Sequence, residues 1–135
     1  MRVTHDTDNG HGTPDGVLER FRVDVTPGRD LVYVCPSGEV DLSTVGPLRE
    51  RVHELVSAGF GRVVVDLRGV TFLDSTGLRL LLELHGASRS DGWQLGILEG
   101  SAEVRRVFEI TGTRAALPFV AVDEIRNSRW RSQDE

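Results

Sequence analysis

A chain of 135 residues with 39% hydrophobic and 27% charged residues has the composition of one folded domain with a moderate core. Its net charge of −5 argues against a surface built for nucleic acid or an anionic membrane, and no run reaches the ~20 apolar residues of a membrane helix. All 16 basic residues are Arg, which excludes a Schiff-base lysine and the phosphate-binding Lys of a P-loop.

Residues 1–16 are rich in Asp, Thr, Gly and His, lack an apolar period and read as a flexible tail. They contain no signal-peptide apolar region, so the expected location is the cytoplasm. His5, Asp6, Asp8 and His11 have metal-ligand chemistry, but no further His or Cys group completes a site, and a solvated tail is expected. The folded domain is expected over residues 17–131, with a short tail at 132–135. In residues 17–26, Phe21, Val23 and Val25 alternate with Arg20, Arg22 and Asp24, the pattern of a strand with one solvated face at a sheet edge. Pro27, Gly28, Arg29 and Asp30 form a turn. Residues 31–35 are apolar throughout and predict a strand covered on both faces, with Cys35 as an inert core thiol. Cys35 is the only cysteine, so no intramolecular disulfide can form.

Residues 36–41 read as a loop. Ser43 or Thr44 then caps a helix running to about residue 58, with Leu48, Val52, Leu55 and Val56 inward and Pro47 tolerated in the first turn. Residues 62–67 predict a second interior strand, and Arg68-Gly69 opens the loop to a short apolar run, Thr71-Phe72-Leu73. That run stops at Asp74-Ser75-Thr76-Gly77, where a helix over 75–91 begins with Leu78, Leu80, Leu81, Leu82 and Leu84. Asp91-Gly92 stops the helix, and residues 93–98 give a third interior strand. Ser101 caps a short helix with Val104, Val107 and Phe108 inward, and Gly112 closes it. A last strand is expected over 117–122 and a terminal helical turn or two over 123–131; Trp130 has no assigned role.

The order β-β-α-β-α-β-α-β predicts an α/β fold: a mixed, mostly parallel sheet of four to five strands, an antiparallel N-terminal edge strand, and three to four covering helices. In such sheets the loops after the strands' carboxyl ends gather on one edge, where ligands and partners bind. One of these loops holds Glu39 and Asp41, the other Asp74 and Ser75, and each runs into a helix N-terminus. The first turn of a helix offers unpaired N–H groups and roughly half a positive charge, a good place to install or sense a phosphate.

Ser75 has Glu39, Asp41 and Asp74 as candidate neighbours but no credible base. His53 lies mid-helix and His85 near the far end of its helix, and neither a Gly-x-Ser-x-Gly elbow nor a Gly-rich phosphate loop is present. No catalytic residues, and hence no enzyme, are expected. Asp41 with Asp74 has the chemistry to hold Mg²⁺, but two carboxylates at loop ends are ordinarily caps, so no metal or cofactor is expected. Read alone, Asp-Ser-Thr-Gly is an ordinary helix start, each cap contributing ~1 kcal/mol.

Four motifs change that balance. Gly38-Glu39-Val40-Asp41, Val63 through Leu67, Phe72-Leu73-Asp74-Ser75-Thr76-Gly77-Leu78, and the stretch from Val104 to Gly112 occur in order, with Asp91-Gly92 before the next strand. Over residues 17–122 the chain resembles the STAS domain, the fold of bacterial anti-sigma factor antagonists. The resemblance implies that Ser75, rather than Thr76, is a phosphoacceptor. It implies that the unphosphorylated chain binds an ATP-binding anti-sigma factor serine kinase and frees the sigma factor, that phosphorylation blocks this binding, and that a phosphatase resets the switch. Glu39, Asp41, Asp74, Ser75, Thr76, Gly77 and Arg79 form the implied partner-binding set. Arg79 and Pro36 depart from the family pattern; Arg79 lies one helical turn past Ser75, within reach of a phosphate or of a partner's carboxylate. Two other readings stay open: a STAS interaction module acting without phosphorylation, and a small-ligand or nucleotide-binding domain. In the phosphoswitch reading the helix N-terminus supplies donors to the phosphate, while Asp41 and Asp74 repel it.

Overall fold

Runs of Val and Leu set the sheet of the computed structural model, which describes residues 3–5 and 21–126. Its strands are β1 (Val3–His5), β2 (Arg22–Pro27), β3 (Val32–Val40), β4 (Arg62–Asp66), β5 (Val70–Leu73) and β6 (Gln94–Leu98). The helices are α1 (Val45–Ser57), α2 (Ser75–Asp91), α3 (Ala102–Thr111) and α4 (Val122–Arg126), with 3₁₀ turns at Leu67–Gly69 and Arg114–Ala116. Strand order is β1-β2-β3-β4-β6, and β5 pairs with β3. β2 is antiparallel to both β1 and β3, whereas the β3–β4, β3–β5 and β4–β6 pairs are parallel. The mixed, mostly parallel sheet with an antiparallel N-terminal side matches the sequence expectation.

β3 is the hub. Its first half pairs with β4, from Val32↔Val63 to Val34↔Val65, and its second half pairs with β5, from Gly38↔Val70 to Val40↔Leu73. The sequence reading, a loop over 36–41, is therefore corrected: strand continues to Val40. Pro36 falls between the last β4 partner and the first β5 partner, so its missing N–H removes no bond to either strand. A bulge follows between Gly38 and Glu39, and Gly38 takes φ 104°, which favours a residue without Cβ. β4 and β5 are joined through Asp66, whose carboxylate accepts from the Arg68 backbone N–H at 3.0 Å and from its guanidinium at 2.9 and 2.8 Å. Burial pushes the Asp66 pKa up, but these bonds outweigh it and hold the carboxyl below its ordinary value.

The main core lies on one face of the sheet, where Val32, Val34, Val63, Val65, Leu95 and Ile97 meet Leu48 and Val52 of α1, Leu81 and Leu84 of α2, and Phe108 of α3. The alternate strand residues face the other way, where Leu31, Val64 and Leu98 form a small cluster with Tyr33, Val120 and Ile125. Cover on this second face is thin. Cys35, expected in the core, is accordingly only half-buried, with its Sγ 3.9 Å from Asp66 Oδ2. Across the helix layer, Arg49 of α1 makes two bonds to Glu83 of α2, at 2.8 and 3.0 Å.

Three further expectations change. Val3–His5, read as tail, pairs with β2 from Val3↔Val25 to His5↔Val23, so β2 is not the sheet edge. Asp6, Asp8, His11, the start of the expected first strand and Trp130 lie outside the described residues. No strand forms over 117–122. Pro118 has no N–H and the Phe119 N–H turns back to Leu117, leaving a single bridge between Ile97 and Phe119. Phe119 instead packs edge-to-face on Phe108, centroids 5.0 Å apart. α2, by contrast, spans the expected residues, and Gly92 and Gly112 end α2 and α3 in the left-handed conformation.

Gly77 fixes how closely α2 approaches the sheet. A Cβ there would stand 2.7 Å from Leu73 Cδ1, 2.9 Å from Val40 Cγ1 and 3.0 Å from the Val40 carbonyl oxygen. Overpacking of this kind costs ~1–3 kcal/mol, against ~1 kcal/mol gained from the helix propensity of Ala. Gly86, on the same helix, has nothing within 4 Å of a Cβ. Gly77→Ala is therefore expected to lower the urea midpoint at unchanged m-value, a loss of stability on the order of 1 kcal/mol. Gly86→Ala is expected to raise it; a raised midpoint for both variants would contradict the seam.

Candidate functional site

Two corners meet at the carboxyl end of β3 and β5. The β3–β5 register sets Glu39 beside Phe72 and Val40 beside Leu73, and the Asp74 N–H donates to the Val40 carbonyl at 3.3 Å. The structure thus joins the two segments that topology was expected to bring together. Glu39 belongs to β3 rather than to a loop.

The first corner leads into α1. Asp41 Oδ1 accepts from the Ser43 N–H at 3.0 Å and from the Ser43 hydroxyl at 2.8 Å. The Ser43 hydroxyl is the main cause that holds the Asp41 carboxyl below its ordinary pKa, against the opposing effect of burial. Thr44 occupies the N-cap position but does not cap with its side chain. Its hydroxyl turns back, accepting from the Asp41 N–H at 2.8 Å and donating to the Glu39 carbonyl at 2.8 Å. The corner is therefore self-bonded.

The second corner leads into α2. Asp74 is the cap: its Oδ1 accepts from Thr76 N–H at 2.9 Å and Gly77 N–H at 3.0 Å, and its carbonyl accepts from Leu78 N–H at 3.0 Å. Ser75 is the first helical residue and is exposed; among the described residues no hydrogen bond engages its hydroxyl. Thr76 is half-buried and Gly77 buried. This arrangement corrects one expectation. The helix N-terminus has few donors left for a phosphate, because Asp74 already takes them.

Arg79 lies on the exposed face of α2, four residues past Ser75. The histidines stand apart from this corner. His53 is exposed on the third turn of α1, and His85 lies ten residues beyond Ser75, about 15 Å along the helix axis. Burial, then the charge of Arg89, lowers the His85 pKa. Asp41 and Asp74 are both occupied as turn-forming groups, and among the described residues no group of three or more His, Cys, Asp or Glu is placed to hold a metal ion.

Two residues that the sequence reading did not single out flank this corner. Leu42, next to Asp41, is 77% exposed, and Phe72, opposite Glu39, is 49% exposed. The signal for Phe72 is a break in alternation: β5 runs buried, exposed, exposed, buried. Beside an unengaged hydroxyl and three carboxylates, these side chains make a mixed apolar and acidic surface suited to a protein partner. Among the described residues no helix is long and apolar enough to cross a membrane.

Comparison with known proteins gives the family and the fold. Residues 32–118 match the family model described as Mlab, STAS domain. An anti-sigma-B factor antagonist of Staphylococcus aureus is 36% identical over 90 residues, covering 66% of this chain and 83% of that protein. The crystal structure of an anti-sigma factor antagonist from Mycobacterium paratuberculosis superposes with TM-score 0.67 at 24% identity, covering 81% of this chain and 93% of that one. The Bacillus cell fate determinant SpoIIAA in its phosphorylated form has the same fold, with TM-score 0.59 at 20% identity over 82% of this chain and all of that one. The matched region runs from the hub strand through both corners to the segment after α3; the chain belongs to the STAS family of anti-sigma factor antagonists.

Proposed function

We propose that this chain is a phosphorylation-gated antagonist acting in the cytoplasm. Unphosphorylated, it binds an ATP-binding anti-sigma factor serine kinase and displaces the sigma factor. The kinase then transfers a phosphoryl group to Ser75, the complex separates, and a phosphatase restores the hydroxyl by hydrolysis. The observation that carries this reading is the division of labour at α2: Asp74 does the capping, so the Ser75 hydroxyl is left exposed and unengaged.

The antagonist contributes position, not chemistry. In the transfer, Ser75 Oγ bonds to the γ-phosphorus of the ATP held by the partner, the bond to ADP breaks, and the hydroxyl proton passes to a base of the kinase. The distance of His85 from Ser75 supports assigning that base to the partner. Gating follows from charge. A phosphate adds −1.5 to −2 charges next to Asp74 and near Asp41 and Glu39. A partner surface fitted to a neutral hydroxyl and to apolar Leu42 and Phe72 then meets a bulky added negative charge. A penalty of ~3 kcal/mol weakens binding more than a hundredfold, with no change of fold required.

With ATP and its cognate kinase, the chain is expected to take up one phosphate on the fragment containing Ser75, read by mass spectrometry. Ser75→Ala is expected to take up none while keeping its circular dichroism and unfolding midpoint; a phosphate on Thr76 or elsewhere in that variant would refute the assignment. Leu42→Ala and Phe72→Ala are each expected to weaken kinase binding by at least about 1 kcal/mol, roughly fivefold, in calorimetry. Unchanged affinity in both would show that the partner docks on another face.

A further inference from the structure

We infer that Arg79 is the internal counter-charge for a phosphate on Ser75, an inference that rests on the acceptor role proposed above. A phosphate at this corner needs donors, and the helix end has few to offer. The N–H groups of Thr76, Gly77 and Leu78 are all bonded to Asp74. Asp74, Asp41 and Glu39 add only repulsion. The nearest cation along the helix is Arg79.

Arg79 is also uncommitted. Its natural partner on α2 is Glu83, four residues on, but both Glu83 oxygens are held by Arg49 of α1, at 2.8 and 3.0 Å. Among the described residues no ion pair or hydrogen bond engages Arg79, and it is exposed. On a helix, positions four apart have Cβ atoms about 6 Å from each other, and long side chains lean back toward the N-terminus. Arg79 therefore reaches over the turn that Ser75 begins. An acidic group N-terminal to a basic one at this spacing is the favourable order. The guanidinium gives a phosphate two parallel donors. The Arg49–Glu83 clip between helices thus leaves Arg79 available, and the phosphorylated corner is stabilised without displacing the Asp74 cap.

The test uses the full chain with phosphoserine genetically encoded at position 75, with and without Arg79→Ala. Phosphorus NMR follows the second ionisation of the phosphate, near pH ~6. Asp74, Asp41 and Glu39 raise that pKa equally in both proteins, so the difference isolates Arg79. The parent is expected to titrate roughly 0.2–0.4 unit lower than Arg79→Ala. That gap is expected to shrink in molar salt. Equal pKa values, or a lower value in the Ala variant, would overturn the inference. Because the phosphate is installed without a kinase, this result stands apart from the acceptor assignment; failure of a kinase to modify Ser75 would count against that assignment alone.

Discussion

One carboxylate organises the functional corner. Asp74 accepts from two backbone N–H groups of the first turn of α2, while its own N–H is anchored to Val40 at the end of β3. A cap of this kind contributes ~1 kcal/mol to stability. Its larger effect is on what remains free. With the cap supplied by Asp74, the Ser75 hydroxyl has no structural duty and points its chemistry outward. The same bonds deny a phosphate the usual welcome of a helix end, so in the proposed switch the charge of a modified Ser75 falls to Arg79 and to whatever docks there.

This corner exists because β3 is long enough to serve two partners. Its first half belongs to the sheet with β2 and β4, and its second half receives β5 after the Asp66–Arg68 turn. The β5 register then sets Phe72 beside Glu39 and brings Asp74 to Val40. Gly77 completes the seam by letting the helix backbone lie against Val40 and Leu73. A shift of one residue in β5 would turn Phe72 away from Glu39 and carry Ser75 off the edge.

Much of this was legible in the amino-acid sequence, and the parts that were not share a cause. α2, α3, the Ser101 cap and the glycine ends at 92 and 112 rest on local signals: apolar spacing, a capping side chain, a left-handed residue. The motifs put Asp41 and Asp74 after strand ends that the structure brings together. The second half of β3 was hidden because residues 36–41 read as a loop, and only pairing with β2 and the distant β5 makes residues 36–40 strand. The expected strand over 117–122 failed for the opposite reason: its residues suit a strand, but Pro118 cannot sustain the ladder. The exposure of Leu42 and Phe72 depends on what neighbouring elements leave uncovered, which composition does not encode. The capping role of Asp74 among three capable residues was likewise decided by geometry.

The proposed switch asks little of the fold. Phosphate and hydroxyl forms share the same cap, seam and sheet, and differ in charge at one exposed oxygen flanked by carboxylates and two apolar side chains. The most direct measurement is calorimetric titration of the cognate ATP-binding anti-sigma kinase with the unmodified chain and with the chain carrying phosphoserine at position 75. The account predicts that the phosphorylated chain binds at least a hundredfold more weakly, a loss of ~3 kcal/mol. Equal affinity of the two forms would contradict it.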